Sequence, residues 1–127
     1  MTFPPSTPFT DPSLGRAPPA TPPMFAGATL RFVEMIPQRI GTIERLVEDI
    51  SLNHGSSGDL ADIADVAHQL AGTAATLGMP RIGTLSENVE QLIKESLDSS
   101  QSPQSVLVRV RPEIEALLDA LEDAFLD

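Results

Sequence analysis

Phe32, Ile36, Ile40, Ile43, Val47 and Ile50 recur three or four residues apart, and three further series of the same kind follow along the chain. This spacing lines one face of an α-helix, whereas a half-buried strand would alternate at every second residue, and no stretch does so. The second series is Leu60, Ile63, Ala67, Leu70, Ala74 and Leu77. Ile82, Leu85, Val89, Leu92 and Ile93 make the third, and Val106, Val110, Ile114, Leu117, Leu121 and Phe125 the fourth. An amphipathic helix cannot bury its own apolar stripe, so four in succession must share one core. Short connections make sequential helices antiparallel neighbours. The expected fold is all-α, an antiparallel up-down four-helix bundle.

Local chemistry supplies the breaks. Pro37 falls inside the first series, where a missing N–H and a clash with the preceding turn should kink the helix or split off a short N-terminal leader helix. Residues 53–58, Asn-His-Gly-Ser-Ser-Gly, read as a loop. Ser57 or Asp59 can cap the second helix, and Asp62 lies near its positive end. Gly78 suits a left-handed helix end and Pro80 the first turn of the third helix. Ser102 reads as the N-cap of the last helix, with Pro103 at its first position. The apolar period continues past Pro112, which predicts one kinked helix rather than two.

Composition bounds the rest. Eight of the twelve prolines lie within residues 1–23. The expected organisation is therefore a disordered Pro-rich arm over residues 1–24 and a bundle over 25–127. With no P-x-x-P core flanked by basic residues, the arm reads as a tether before it reads as a partner ligand or regulatory segment. The absence of cysteine excludes disulfides, thiolate chemistry and Cys-based zinc sites. A formal charge of −10 without Trp or Tyr argues against nucleic acid, which demands a basic face and favours stacking rings. No apolar run approaches a membrane span and the start does not resemble a secretory signal, so the expected location is cytoplasmic. A self-contained bundle needs no second copy, and a monomer is expected.

One stretch of the second helix stands out, Ala67-His68-Gln69-Leu70-Ala71-Gly72-Thr73-Ala74-Ala75-Thr76-Leu77-Gly78. At about 100° per residue, His68 lies nearly opposite the apolar stripe. Within about 60° of it fall Ala61, Ala64, Asp65, Ala71, Gly72 and Ala75. Five of these six are alanine or glycine. Such a face could reflect helix propensity alone, or close packing of another helix. However, an ordinary solvated face carries Glu, Lys and Gln, and Gly72 costs roughly 1 kcal/mol relative to alanine in a helix interior. The face reads as a cleared landing surface around one imidazole. Its neutral form could act as base, metal ligand or covalent nucleophile. His54 is the only other histidine and no His-x₃-His pattern occurs, so no metal site is expected. Base catalysis would need convergent polar groups, of which Asp65 is one weak candidate. A nucleophile on a convex helix suits a reaction whose machinery arrives with a partner.

This stretch resembles the histidine phosphotransfer (HPt) family, whose motif reads approximately A-H-x-L-K-G-S-A-x-x-x-G before a leucine-spaced helix. Here Gly78 stands ten positions after His68, with Ile82, Leu85 and Val89 following. Phe32 and Pro37 resemble the family's frequent opening of the first helix. Likeness in helix order and loop placement extends over roughly residues 26–126. It implies a stand-alone phosphorelay intermediate, without autonomous kinase activity. His68 would be the phosphoryl acceptor, loaded by a receiver-domain aspartyl phosphate and emptied onto another receiver aspartate. The implied partners are response-regulator receiver domains and a hybrid histidine kinase. No cofactor is implied for this chain, the Mg²⁺ being expected on the receiver. The six residues around His68 would form the dock. The family's lysine is Ala71 here, and Lys94 or Arg81 on the third helix could supply the missing cation. Two other functions compete: a non-catalytic helical adaptor binding receiver or kinase domains through the same face, and an enzyme using His68 as general base. A deep pocket beside the ring would favour the enzyme.

Overall fold

The computed structural model describes residues 26–52 and 55–126. The arm expected over residues 1–24 lies outside them, as does His54. Four helices follow in order: α1 Ala26–Ser51, α2 Ser57–Leu77, α3 Pro80–Leu97 and α4 Pro103–Leu126. No strand occurs among the described residues. Packing joins α1 to α2, α2 to α3, α3 to α4 and α4 back to α1, the closed ring of an up-down bundle, with α2 and α3 in the broadest contact.

Most of the core comes from the four apolar series, although Phe32, Ile40, Val47, Leu85 and Leu92 are only half-buried and Leu46, Leu107 and Ala120 join it from outside them. Ile36, Ile43 and Ile50 of α1, Leu60, Ile63 and Leu70 of α2, Val89 and Ile93 of α3, and Val106, Val110, Ile114, Leu117 and Leu121 of α4 are almost wholly buried. Phe125, which ends the fourth series, is 45% exposed. No separate leader helix precedes α1 among the described residues, because Pro37 lies inside a continuous helix. Pro37 is solvent-exposed. Its missing hydrogen bond therefore leaves a carbonyl that water can satisfy, and the helix need not end there. Pro112 likewise lies within α4.

The connections fix the register of α2 against α3. Ser56 caps α2, one position earlier than expected: its hydroxyl accepts from the Gly58 amide at 3.1 Å, and the Asp59 carboxylate accepts from the Ser56 amide at 3.0 Å. This reciprocal box satisfies two otherwise orphaned donors. At the far end Gly78 adopts φ 73°, ψ 38°, and the Met79 amide donates back to the Ala74 carbonyl at 2.9 Å. Only glycine enters that left-handed region without strain. Pro80 opens α3 immediately, and Ser102 caps α4 by accepting from the Ser105 amide at 3.2 Å. The α2–α3 hairpin thus turns tightly about Met79 and runs its two helices side by side.

Candidate functional site

His68 sits near the middle of α2 with its side chain 72% exposed. Its Nδ1 lies 2.9 Å from Oε2 of Glu90 on α3. The same oxygen accepts from the Lys94 ammonium at 2.7 Å, one helical turn further on. Ring and ammonium are therefore two hydrogen bonds apart, joined by one carboxylate oxygen. The Glu90 side chain is only 14% exposed. The hydrogen bond from Lys94 holds its carboxyl below the ordinary glutamate value of 4.5, outweighing the burial that pushes it up, and the charges of His68 and Lys94 add to the lowering. Glu90 is thus ionised at neutral pH and can only accept. Nδ1 must then carry the proton of the bond between them, so in the neutral tautomer the lone pair is on Nε2 of a side chain that is 72% exposed.

The surroundings fit an approach by something large. An open, shallow depression beside the ring is lined by Ala28 of α1 and by Gln69, Gly72, Thr73, Thr76 and Leu77 of α2. A Cβ built on Gly72 would meet nothing within 4 Å, so the glycine clears outward space and relieves no internal contact. The depression brings hydroxyls and one amide to the ring but no second acid or base. It is not the enclosed polar pocket that general-base catalysis on a small substrate requires.

Of the six residues expected around His68, four lie on accessible surface: Asp65, Gly72 and Ala75 are exposed and Ala61 is half-buried. Ala64 and Ala71 do not belong to that surface, being only 3% and 7% exposed. They lie on the flank of α2 that α3 covers, where small residues let the two helices approach. A Cβ on Gly83 of α3 would stand 3.7 Å from the Ala74 Cβ and 4.0 Å from the Ala71 carbonyl. A lysine at position 71 would have to leave this interface. Asp65 is not the partner of His68; Glu90 is. Lys94 is brought to the site through Glu90. Arg81 is not, because its guanidinium bonds Asp123 of α4 at 3.2 Å. It also sits nine residues before Glu90, about 13.5 Å along the helix.

Glu90 is the residue that a single-helix wheel misses. The hairpin register contains the signal: His68 and Glu90 stand eleven positions either side of Met79, so a tight antiparallel turn there sets them opposite each other. Ala28, Gln69, Thr73 and Thr76 also enter the site, on the side of α2 that faces α1.

No curated protein and no solved structure matches the chain. A family model described as Hpt domain matches residues 30–124, which spans nearly all of the four helices and contains His68, Glu90 and Lys94. Members of this family are phosphocarriers rather than kinases, and they work with receiver and kinase domains of two-component systems. Four antiparallel helices and that match over most of the length agree, and the chain belongs to the Hpt domain family, whose function is histidine phosphotransfer in phosphorelays.

Proposed function

We propose that His68 is the phosphoryl acceptor of a relay intermediate, loaded from an aspartyl phosphate on one receiver domain and discharged onto an aspartate of another. The observation that carries this reading is the Nδ1–Glu90 hydrogen bond on an otherwise exposed ring. In the loading step the Nε2 lone pair forms a bond to phosphorus. The bond from phosphorus to the aspartyl oxygen breaks, and its electron pair leaves with the carboxylate. Nδ1 keeps its proton throughout, so the phosphorylated ring is cationic and Glu90 stabilises it across 2.9 Å. Discharge reverses these steps against the second aspartate.

The remaining machinery would come with the receiver: its acidic pocket would hold Mg²⁺, whose charge would offset that of the transferring group, and docking would set the in-line geometry. On this chain Lys94 is the cation that Glu90 joins to the ring. Its flexible stem lets the ammonium exchange Glu90 for a phosphoryl oxygen, the role that Ala71 cannot play. Ala61, Asp65, Gly72 and Ala75 form the α2 part of the dock, with Gln69 and Thr76 beside them.

The test is transfer of labelled phosphate from a phosphorylated receiver. Wild-type protein should take up label that is lost in acid and retained in alkali, and His68→Gln should take up none. Labelled His68→Gln would overturn the assignment. An adaptor that merely binds receivers would bind them equally well with either residue and take up label with neither.

A further inference from the structure

Two depressions follow each other where α1 meets α4, and Glu44 lines both, so they form one groove. It extends from Pro37 to Ser51 on α1 and from Arg111 to Leu126 on α4. That is about 21 Å, or four helical turns. None of the residues lining it borders the depression beside His68. We infer that this groove binds a basic amphipathic helix of another protein, laid between α1 and α4 with its apolar stripe against the floor.

The floor of the groove is apolar and its edges are acidic. Ile40, Val47 and Leu118 pack against the core yet stay only half-buried. Phe125 continues the same α4 stripe and is 45% exposed. Glu44 and Glu48 on α1, and Glu115 and Glu122 on α4, line the groove and are exposed. Among the described residues Arg111 is the one cation lining it, and Arg111 is already engaged, with Glu115 at 3.6 Å and the Ser51 hydroxyl at 3.0 Å. Four carboxylates against one engaged guanidinium select the sign of what can lie there. A second copy would bring a like-charged rim against this one, in a protein that carries −10 overall. Residues 1–25 hold one cationic side chain, Arg16, offset by Asp11. A helix with Lys or Arg flanking its apolar stripe matches floor and rim together.

The probe is a Leu/Lys peptide of about 15 residues with leucines at helical i, i+3 and i+4 spacing, and its control is the same pattern in Leu/Glu. In amide NMR of the full chain, the Leu/Lys peptide should shift Val47, Leu118 and Phe125, and the Leu/Glu peptide should shift none of them. Glu44→Lys/Glu48→Lys should weaken the Leu/Lys peptide about tenfold, and Phe125→Ser should weaken it as well. Glu87→Lys/Glu95→Lys makes the same change of charge at exposed positions of α3 and should stay within about twofold of wild type. Wild-type affinity in Glu44→Lys/Glu48→Lys or in Phe125→Ser would overturn the inference. Equal losses in the two charge-reversed variants would reduce binding to net charge and overturn it too, as would equal binding of the Leu/Glu peptide. Two other occupants have their own signatures, and either would displace the basic helix. Shifts of the groove residues with protein concentration alone would mark a contact between copies, and a spin label on Ser13→Cys that broadens them would place residues 1–25 there. Phosphoryl uptake from phosphoramidate, a small donor that needs no docking surface, should run at one rate with and without the Leu/Lys peptide. Slower uptake with the peptide bound would put it over His68 and contradict the assignment.

Discussion

Gly72 offers the sharpest separation of folding from function. It lies inside α2, one turn beyond His68, and a Cβ there meets open space. Replacing a glycine in an exposed helix interior by alanine gains about 1 kcal/mol of helix propensity, with nothing to offset it. For a domain of this size that corresponds to a rise in melting temperature of about 4–8 °C. Leucine has nearly the same propensity, so Gly72→Leu should keep most of the gain while filling the depression beside the ring. Thermal unfolding followed by circular dichroism should therefore rank both variants above wild type. Phosphoryl uptake from a receiver should change little in Gly72→Ala and fall at least tenfold in Gly72→Leu, while uptake from phosphoramidate stays near the wild-type rate in both. A destabilised Gly72→Ala would mean the space is not open. Undiminished receiver-driven uptake by Gly72→Leu would mean that the partner does not approach over this side of the ring.

Three further outcomes follow from the site and its packing. Glu90→Gln keeps a hydrogen-bond acceptor near Nδ1 but loses the charge, so uptake should slow about tenfold with receiver and phosphoramidate alike, the difference between a charge-assisted and a neutral bond. Glu90 should titrate below 4.5 in wild type when its carboxyl carbon is followed by NMR, and Lys94→Met should move that titration upward. Because the folded value is depressed, this pairing stabilises the protein above the ordinary glutamate value, and the contribution is lost as pH falls through the folded one; Lys94→Met should flatten that part of the acid-unfolding curve. Ser86 is fully buried and its hydroxyl has no hydrogen-bond partner among the described residues. Ser86→Ala should then leave stability in urea unchanged or raise it by about 1–2 kcal/mol, and a loss larger than 1 kcal/mol would show that the hydroxyl is satisfied after all.

What was legible in the chain was what is local. Apolar spacing located the four helices, Gly78 and Pro80 located the α2–α3 turn, and Ser102 capped α4 as its position implied. The bare ring of small residues around His68 proved to be two features superposed. A wheel drawn on one helix assigns a single buried stripe, but α2 has two neighbours, and the second of them covers Ala64 and Ala71. Their small size suits close helix packing, Ala71 lying near Gly83, whereas Gly72 serves open space. Glu90 escaped because its relation to His68 is set by hairpin register and not by spacing within either helix. Arg81 was a plausible cation by composition alone, and its pairing with Asp123 depends on where α4 returns. Pro37 was read as a kink or a split because an interior proline removes a hydrogen bond, and the helix does not split there. On a solvent-facing position of a long helix that loss is tolerated.

In the proposed transfer Glu90 holds the Nδ1 proton so that Nε2 of His68 takes the phosphoryl group. Nitrogen-15 and phosphorus-31 NMR of the loaded protein identifies which ring nitrogen carries phosphorus. Phosphorus is expected on Nε2 of His68, with a protonated Nδ1 still hydrogen-bonded to Glu90. Phosphorus on Nδ1, or on any residue other than His68, would contradict it.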